Sequence, residues 1–286
     1  AGGKLKIHVK LDTGMNRVGF SAREDDADDT AAKIEELSKC DGLELCGIFT
    51  HFSSADDELM DGKIVEGYED CGGYTRMQLN RFTSMVDKLR ARGVDTGMVH
   101  AANSAAILTL PEAYFDAVRA GIILYGLMPN GKCDERFKPA MCFVSTVTHI
   151  HEIKAGEKVS YGAVFTAQRD MRIATVSAGY ADGFERAYSG CRVVIGGERF
   201  RQVGRICMDQ FMVDVTKIPE AKVGDVATLI GTDGIETITM EEIGDRSGRF
   251  NYETACCLGK RIPRVYEKGG KIVCTRDYFH EEKLFF

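Results

Sequence analysis

The sequence predicts an α/β region followed by a mainly β region, and three observations carry that reading. Short apolar runs alternate with helical segments as far as residue 131. From residue 132 on, strand-like runs separated by glycine turns take over. No internal repeat or low-complexity tract interrupts either half. Alternating βα units imply a parallel sheet with helices packed on it, whereas strands joined by tight turns imply antiparallel pairing. The expected domains are therefore 1–131 and 132–286.

In the first region, Lys4 to Leu11 reads as a strand ending at Asp12-Thr13-Gly14. Thr30 to Ser38 reads as a helix and Leu43 to Thr50 as a second strand. The acidic, glycine-containing stretch from Ala55 to Gly73 reads as a loop or frayed insertion. Leu79, Phe82, Val86 and Leu89 then recur at helical spacing until Gly93 stops them. Met98 to Ala102 is expected as a third strand, Ser104 to Pro111 as a short helix, and Ala117 to Gly121 as a fourth strand. Polar residues gather where these strands end: Lys10 and Arg17, His51, Asn103 with Ser104, and Arg119 with Gly121. In a βα barrel that end of the sheet carries the chemistry.

In the second region, Ala140 to Ile153, Met171 to Ser177, Arg192 to Ile195, Val203 to Val215 and Val226 to Ile230 are strand-like. A helical stretch near Met240 to Leu258 and a last strand around Lys271 to Thr275 close it. Three segments stand out: Lys158-Val159-Ser160-Tyr161-Gly162, Ala178-Gly179-Tyr180-Ala181-Asp182-Gly183 and Gly204-Arg205-Ile206-Cys207-Met208-Asp209-Gln210. Each sets tyrosine or aspartate among small, turn-forming residues, where a tight backbone holds a side chain outward.

Composition sets the outer bounds. An apolar fraction of 44% describes a globular chain. A formal charge of -6 without a basic run argues against nucleic acid as partner. No apolar stretch approaches the roughly 20 residues that cross a bilayer. The opening Ala-Gly-Gly-Lys-Leu-Lys-Ile-His-Val-Lys-Leu runs straight into a strand, unlike a signal peptide, so a cytoplasmic protein is expected. The cysteines (Cys40, Cys46, Cys71, Cys133, Cys142, Cys191, Cys207, Cys256, Cys257 and Cys274) form no CxxC pair. They are expected as reduced thiols packed like small hydrophobes, with no metal site.

The three segments together resemble the carboxy-terminal part of the alanine racemases, a fold-type III, pyridoxal-phosphate-dependent family. Further blocks follow in the family's order: Val9 to Gly19, Thr50-His51-Phe52, His100 to Ala105, Val118 to Ile122, Asn251-Tyr252-Glu253 and Arg261 to Tyr266. The resemblance implies the carboxy-terminal half of a (β/α)8 barrel of the TIM type, followed by a β domain. It implies pyridoxal 5'-phosphate as cofactor, alanine as substrate, and two-base proton transfer that supplies D-alanine for peptidoglycan. It also implies a homodimer whose sites are shared between subunits.

Roles carried over from the resemblance fall on particular residues. Tyr161 would be the base for the L-enantiomer, with Arg17 and His51 as positive or donor groups lowering its phenol pKa. Arg119 would meet the cofactor's pyridine nitrogen and, as a permanent donor, keep it unprotonated. Ser104, the amides of Gly121 and Ile122, and the Tyr252 phenol would hold the phosphate, and Asn103 would also bind the cofactor. Arg17 and the Met208 amide would hold the substrate carboxylate, while Tyr180 and Asp209 line the entry. Lys10, if carbamylated, would anchor Arg17; as a plain cation it would repel it.

The family's cofactor lysine lies in a block resembling Val-Lys-Ala-Asn-Ala-Tyr-Gly, and nothing in this sequence matches it. The chain is therefore expected to begin at the family's fifth barrel strand, to lack the amino-terminal half-barrel, and to be inactive alone. A racemase of serine or another small amino acid, or a non-catalytic binding or assembly module, are the competing expectations.

Overall fold

The computed structural model describes residues 3–56, 71–279 and 283–284. It divides into two compact units, Ala1–Lys138 and Pro139–Phe286.

The first unit strings together β1 (Leu5–Asp12), β2 (Phe20–Ser21), α1 (Ala27–Ser38), β3 (Leu43–Phe49), α2 (Cys71–Ala91), β4 (Met98–His100) and α3 (Ser104–Thr109). The strands form one sheet in the order β2-β1-β3-β4. All its pairings are parallel. Alternation sorts the two faces of β1. Val9 and Leu11 are buried in a core shared with Ile34, Ile48, Phe82 and Leu89. Lys6, His8 and Lys10 point the other way, and the first two are exposed. The helical spacing of Leu79, Phe82, Val86 and Leu89 is thus a core stripe of α2, and Gly93 (φ 80) follows its end.

Two expectations change here. Of the stretch read as a loop, residues 57–70 lie outside the described residues, and Cys71 to Gly73 already belong to α2. The fourth strand shrinks to a single parallel bridge, His100 to Ala117. Gly121, at φ -118 and ψ -101, breaks the extended run, and a 3-10 turn occupies Ile122–Tyr125.

The second unit carries β5 (Phe143–Ile153), β6 (Lys158–Val159), β7 (Phe165–Thr166), β8 (Met171–Val176), β9 (Arg192–Ile195), β10 (Glu198–Val203), β11 (Phe211–Asp214), β12 (Val226–Asp233) and β13 (Glu236–Ile238). Two helices follow, α4 (Met240–Ser247) and α5 (Asn251–Cys257), then β14 (Arg264–Lys268), β15 (Lys271–Arg276) and β16 (Lys283–Leu284). The main sheet runs β13-β12-β5-β8-β11-β10-β9, and a further β12–β9 pairing closes it. Closure makes an antiparallel barrel and removes its free edges. Its filling is aromatic: the Phe184 ring lies 5.1 Å from that of Phe211 and 5.4 Å from that of Tyr188. Gly196 and Gly197 (φ 60 and 79) turn the β9–β10 hairpin, as a two-residue loop with both φ positive requires.

The run Val203 to Val215 is not one strand: Gly204 (φ 74) ends β10, and residues 204–210 loop out before β11. The helical stretch is two helices broken at Gly248 (φ 71), with Thr239 capping α4 by accepting from the Glu242 amide at 3.0 Å. The cysteines also depart from expectation. Among those whose burial is described only Cys191 is buried, and Cys40, Cys133, Cys142 and Cys256 are exposed. They are mostly not core residues, although burial does push the Cys191 thiol up to about 12. Among the described residues there is no cluster of metal-ligating side chains, and no helix is long and apolar enough to cross a membrane.

Candidate active site

In the first unit the candidate residues gather around Arg119. Its backbone amide donates to Ala102 at 2.9 Å, which hangs the residue beside the end of β4. Its Nη2 donates to the carbonyls of Thr50 (2.6 Å) and Ala101 (3.0 Å) and reaches His51 Nδ1 at 3.4 Å. Its Nη1 donates to His100 Nδ1 at 2.6 Å. The guanidinium also lies 5.3 Å from the Phe49 ring centroid, and that ring stacks on His100. Nε makes no hydrogen bond among the described residues and is left to donate elsewhere.

A guanidinium is only ever a donor, so the contact fixes proton positions along a line of imidazoles. His100 must accept at Nδ1, so its proton sits on Nε2. That proton is donated to His8 Nδ1, 2.9 Å away. Gly47 makes room for this, since a Cβ there would stand 2.5 Å from the His8 ring. His100 is held neutral, its pKa lowered to about 4 by burial first and then by Arg119 and His8. His51 is likewise lowered to about 4, by burial and then by Arg119, Arg17 and Lys10. His51 as a positive group is thereby corrected: burial first, and then three nearby cations, keep it neutral, and it serves as acceptor or donor only.

Lys10 sits below the ordinary lysine value, chiefly through burial and then through Arg17, with Asp12 opposing. Asp12 itself builds the turn that carries exposed Arg17, accepting from the amides of Gly14 and Asn16 at 3.0 Å each. Behind the strand ends lies a buried network. Thr13 and Thr50 share a 2.8 Å hydroxyl contact, and Thr50 donates to the Leu11 carbonyl at 2.9 Å. Gln78, fully buried on α2, donates to the His51 carbonyl and to the Thr13 hydroxyl.

Asn103 and Ser104 form a second group. Asn103 caps α3, accepting from the Ala106 amide at 3.0 Å, and donates to the Phe52 carbonyl at 3.2 Å. Each half of its amide thus makes one bond inside the chain, which fixes the side chain beside the helix start and leaves its second N–H to donate elsewhere. Buried Ser104 accepts from the Gly121 amide at 2.8 Å. That amide is likewise committed, while the Ser104 hydroxyl keeps its own proton to donate. Ile122 is buried at the head of its 3-10 turn.

The remaining candidates lie in the second unit, on loops knitted together by backbone. Tyr161 is 69% exposed. Ser160 at φ 72, Gly162 at φ 72 and Ala163 at φ 51 surround it. Ser160 donates to the Arg205 carbonyl at 2.8 Å. The amides of Tyr180 and Ala181 donate to the carbonyls of Cys207 and Met208, at 3.1 and 2.8 Å. Gly179 fits against that segment with no space for a Cβ. Tyr180, Met208 and Asp209 consequently share one exposed surface. Asp182 anchors it from below, accepting from the Gly179 amide at 2.8 Å and pairing with Arg261 at 2.6 Å. Tyr252, half-buried on α5, stacks on Phe250 at 4.7 Å.

His8 and Gln78 were not singled out by the sequence, and Thr50, His100 and Asp182 lay within the quoted blocks but were given no role. His8 and Lys10 stand two apart on one strand, which was a usable signal; Gln78 lies in a helix distant in the chain and gave none.

A guanidinium with a spare donor, neutral imidazoles behind it, and a Ser104 hydroxyl ready to donate make a set that seeks a basic nitrogen and an anion. No carboxylate competes for Arg119 among its described hydrogen bonds. Pyridoxal 5'-phosphate offers both groups, and the residues fit it. The fold and this site define a pyridoxal-phosphate-binding β/α protein with a β domain appended.

Comparison with known proteins makes that particular. The family profile "Alanine racemase, N-terminal domain" matches residues 1–129, and "Alanine racemase, C-terminal domain" matches 140–266. The alanine racemase of Methanococcus maripaludis is 42% identical over 264 residues, covering 91% of this chain and 66% of its own. That of Clostridium tetani is 40% identical over 280 residues, covering 96% and 68%. Among solved structures, alanine racemase from Clostridium difficile 630 superposes with a TM-score of 0.86 at 39% identity, covering 98% of this chain and 69% of that one. Alanine racemase from Bacillus anthracis with bound L-Ala-P gives 0.83 at 34%, covering 96% and 68%. The chain belongs to the alanine racemase family, whose cofactor is pyridoxal 5'-phosphate. It spans about two thirds of the length of the curated relatives it matches.

Proposed function

We propose that this chain takes part in interconverting L- and D-alanine, as a family member contributing the tyrosine base. The observation that carries the reading is the Arg119 cluster: a guanidinium backed by two neutral histidines and without a carboxylate partner. The relatives' names are the ground for alanine over serine.

Pyridoxal 5'-phosphate, when bound, supplies the electron withdrawal that lets an amino acid's α proton leave. Arg119 would donate to its ring nitrogen and, remaining charged itself, transfer no proton there. Ser104, the Ile122 amide and Tyr252 would hold the phosphate, with the Gly121 amide turning from Ser104 to join them. Arg17 and the Met208 amide would hold the substrate carboxylate, and Tyr180 and Asp209 would narrow the entry. Tyr161 would take or return the proton on one face. Lys10, deprotonated more readily than an ordinary lysine, would add its amine to carbon dioxide with loss of one proton. The resulting carbamate would anchor Arg17 in place of repelling it.

A second face needs a second base, and these 286 residues contain no block like Val-Lys-Ala-Asn-Ala-Tyr-Gly to provide it. We read the first unit as the carboxy-terminal half of the family's barrel, and the working protein as a homodimer in which Tyr161 serves the partner's site. The test is a coupled alanine assay. This chain alone should show no turnover, and adding the lysine-bearing polypeptide should bring turnover up. Tyr161→Phe in the restored protein should then lose about 10²–10⁴-fold. Robust turnover by the isolated chain, or an unaffected Tyr161→Phe, overturns the reading.

A further inference from the structure

A cavity of about 480 Å³ opens on the flank of the β barrel, lined by Arg192, Arg199, Arg201, Lys217 and Arg246 around Gly190. None of these residues has a role in the reading above. Arg192 and Arg201 stand directly opposite each other across the antiparallel β9–β10 pair. Like charges in that position repel and weaken the hairpin. Arg246, on α4, is fixed in place by donating from Nε and Nη2 to the Ser189 carbonyl, at 3.2 and 2.9 Å. The next residue, Gly190 (φ 81), lacks a Cβ that would stand 2.5 Å from Arg246 Nη2. Gly190 thus leaves the guanidinium room in its present position.

Charge is not balanced at the site. Arg199 pairs with both Glu236 at 2.8 Å and Glu242 at 2.9 Å, which leaves that trio one negative charge in surplus. Asp214, also on the wall, is taken by Arg169 at 3.0 Å and by Thr216. Among the described residues no carboxylate pairs with Arg192, Arg201, Lys217 or Arg246. Position near the end of α4 accounts for Arg246, because a helix carboxy terminus favours a cation. It does not account for an opposed arginine pair and a lysine turned into the same cleft.

We propose that this cleft binds a compact multivalent phosphate of the diphosphate class. Arginine forks match phosphate oxygens two at a time, which favours phosphate over a monovalent anion. Four unpaired cations against the one surplus carboxylate on Arg199 leave three positive charges, which suit an anion of about three charges, and the volume exceeds what a single phosphate fills. An anion seated between Arg192 and Arg201 turns their repulsion into two attractions, so ligand binding and barrel stability rise together. The proposal stands independently of the racemase reading.

The test titrates the 286-residue chain with pyrophosphate, inorganic phosphate and sulfate at about 0.15 M salt, where long-range attraction is screened. Calorimetry should show pyrophosphate binding one to one, at least about tenfold tighter than phosphate or sulfate. Thermal unfolding should move upward with pyrophosphate concentration. In the double variant Arg192→Gln, Arg201→Gln the ligand-free melting temperature should hold or rise as the repulsion goes, while pyrophosphate affinity falls about tenfold or more. Lys217→Gln, on a loop and unable to disturb the hairpin, should weaken binding about threefold or more. ADP binding within a few-fold of pyrophosphate assigns the site to the diphosphate itself; ADP binding where pyrophosphate fails overturns that assignment. Pyrophosphate no tighter than sulfate, or indifferent to both variants, overturns the site.

Discussion

The sheet of the first unit has edges, and the barrel of the second has none. Both expose candidate functional residues, yet they hold them by different means. In the first unit the bare face of a parallel sheet presents them, and side chains brace one another from strand to strand. Thr13 holds Thr50, Gln78 holds the His51 carbonyl, and His8, His100 and Arg119 hold each other in line. In the second unit the braces are backbone: amide-to-carbonyl bonds between the Tyr180 and Met208 segments, and glycines where nothing larger fits. An open sheet leaves side chains as the means of fixing geometry, whereas a closed barrel provides a rigid rim from which loops can be tied.

The largest test of that contrast is in the two cores. Phe211→Ala in the barrel and Phe82→Ala under the open sheet each remove a fully buried ring. Each should cost about 3–5 kcal/mol. Urea unfolding followed by hydrogen exchange should show the first loss confined to residues 139–286 and the second to residues 3–138. One shared transition moved equally by both would break the distinction between the units.

Acid should separate them next. His100 has a folded pKa near 4 against the ordinary 6.5, so the unfolded chain binds the proton first. Stability from this group is fully present above about pH 6.5 and is lost progressively as pH falls toward 4. It amounts to at most about 3 kcal/mol. Half-buried His51 shifts the same way and adds a smaller, screened share. Amide exchange in β3 and β4 at pH 7 and pH 4.5 measures the loss, and His100→Gln should flatten the slope. An unchanged slope in that variant removes the imidazole line from the account.

The smallest effects sharpen the two modes of bracing. Asp182→Asn should cost the barrel side about 1–2 kcal/mol through the Arg261 pair and leave the first unit untouched. Thr50→Val should cost the first unit about 1 kcal/mol and leave the barrel untouched. Denaturation curves of the two variants, read with the same amide probes, decide whether each loss stays on its own side.

What could be read in the chain follows the same division. The α2 stripe, the alternation of Val9 and Leu11 with His8 and Lys10, and the Gly196-Gly197 turn are local patterns, and each became the element its pattern implies. Barrel closure was not legible, because the β12–β9 contact joins distant residues through no local signal. Lys10 near the end of β1, with Arg17, His51 and Arg119 past the strand ends, marked residues that the fold brings close together. The charge state of His51 did not show, since it depends first on burial and then on three cations, all of which reach it only through the fold. Asn103 shows the ambiguity of such a position: an amide beside a helix start reads equally as ligand or cap, and capping uses only its oxygen and leaves an N–H over.

The loop around Tyr161 has a consequence for how this chain tolerates change. Ser160 sits at φ 72 and ψ 178, a conformation glycine adopts freely and serine hardly at all. Replacing it with glycine would relieve about 1–3 kcal/mol of strain. The same change would remove the hydroxyl that ties the loop to the Arg205 carbonyl. Ala163, at φ 51, carries strain of the same kind, but its bond is from its backbone amide to the Ser160 carbonyl, which glycine would keep. At Ser160 the substitution that relaxes this loop is therefore the one that frees the phenol to wander. A lineage drifting toward greater stability through Ser160 would pass first through variants that hold Tyr161 less firmly, and only selection on that hold would keep serine where it is.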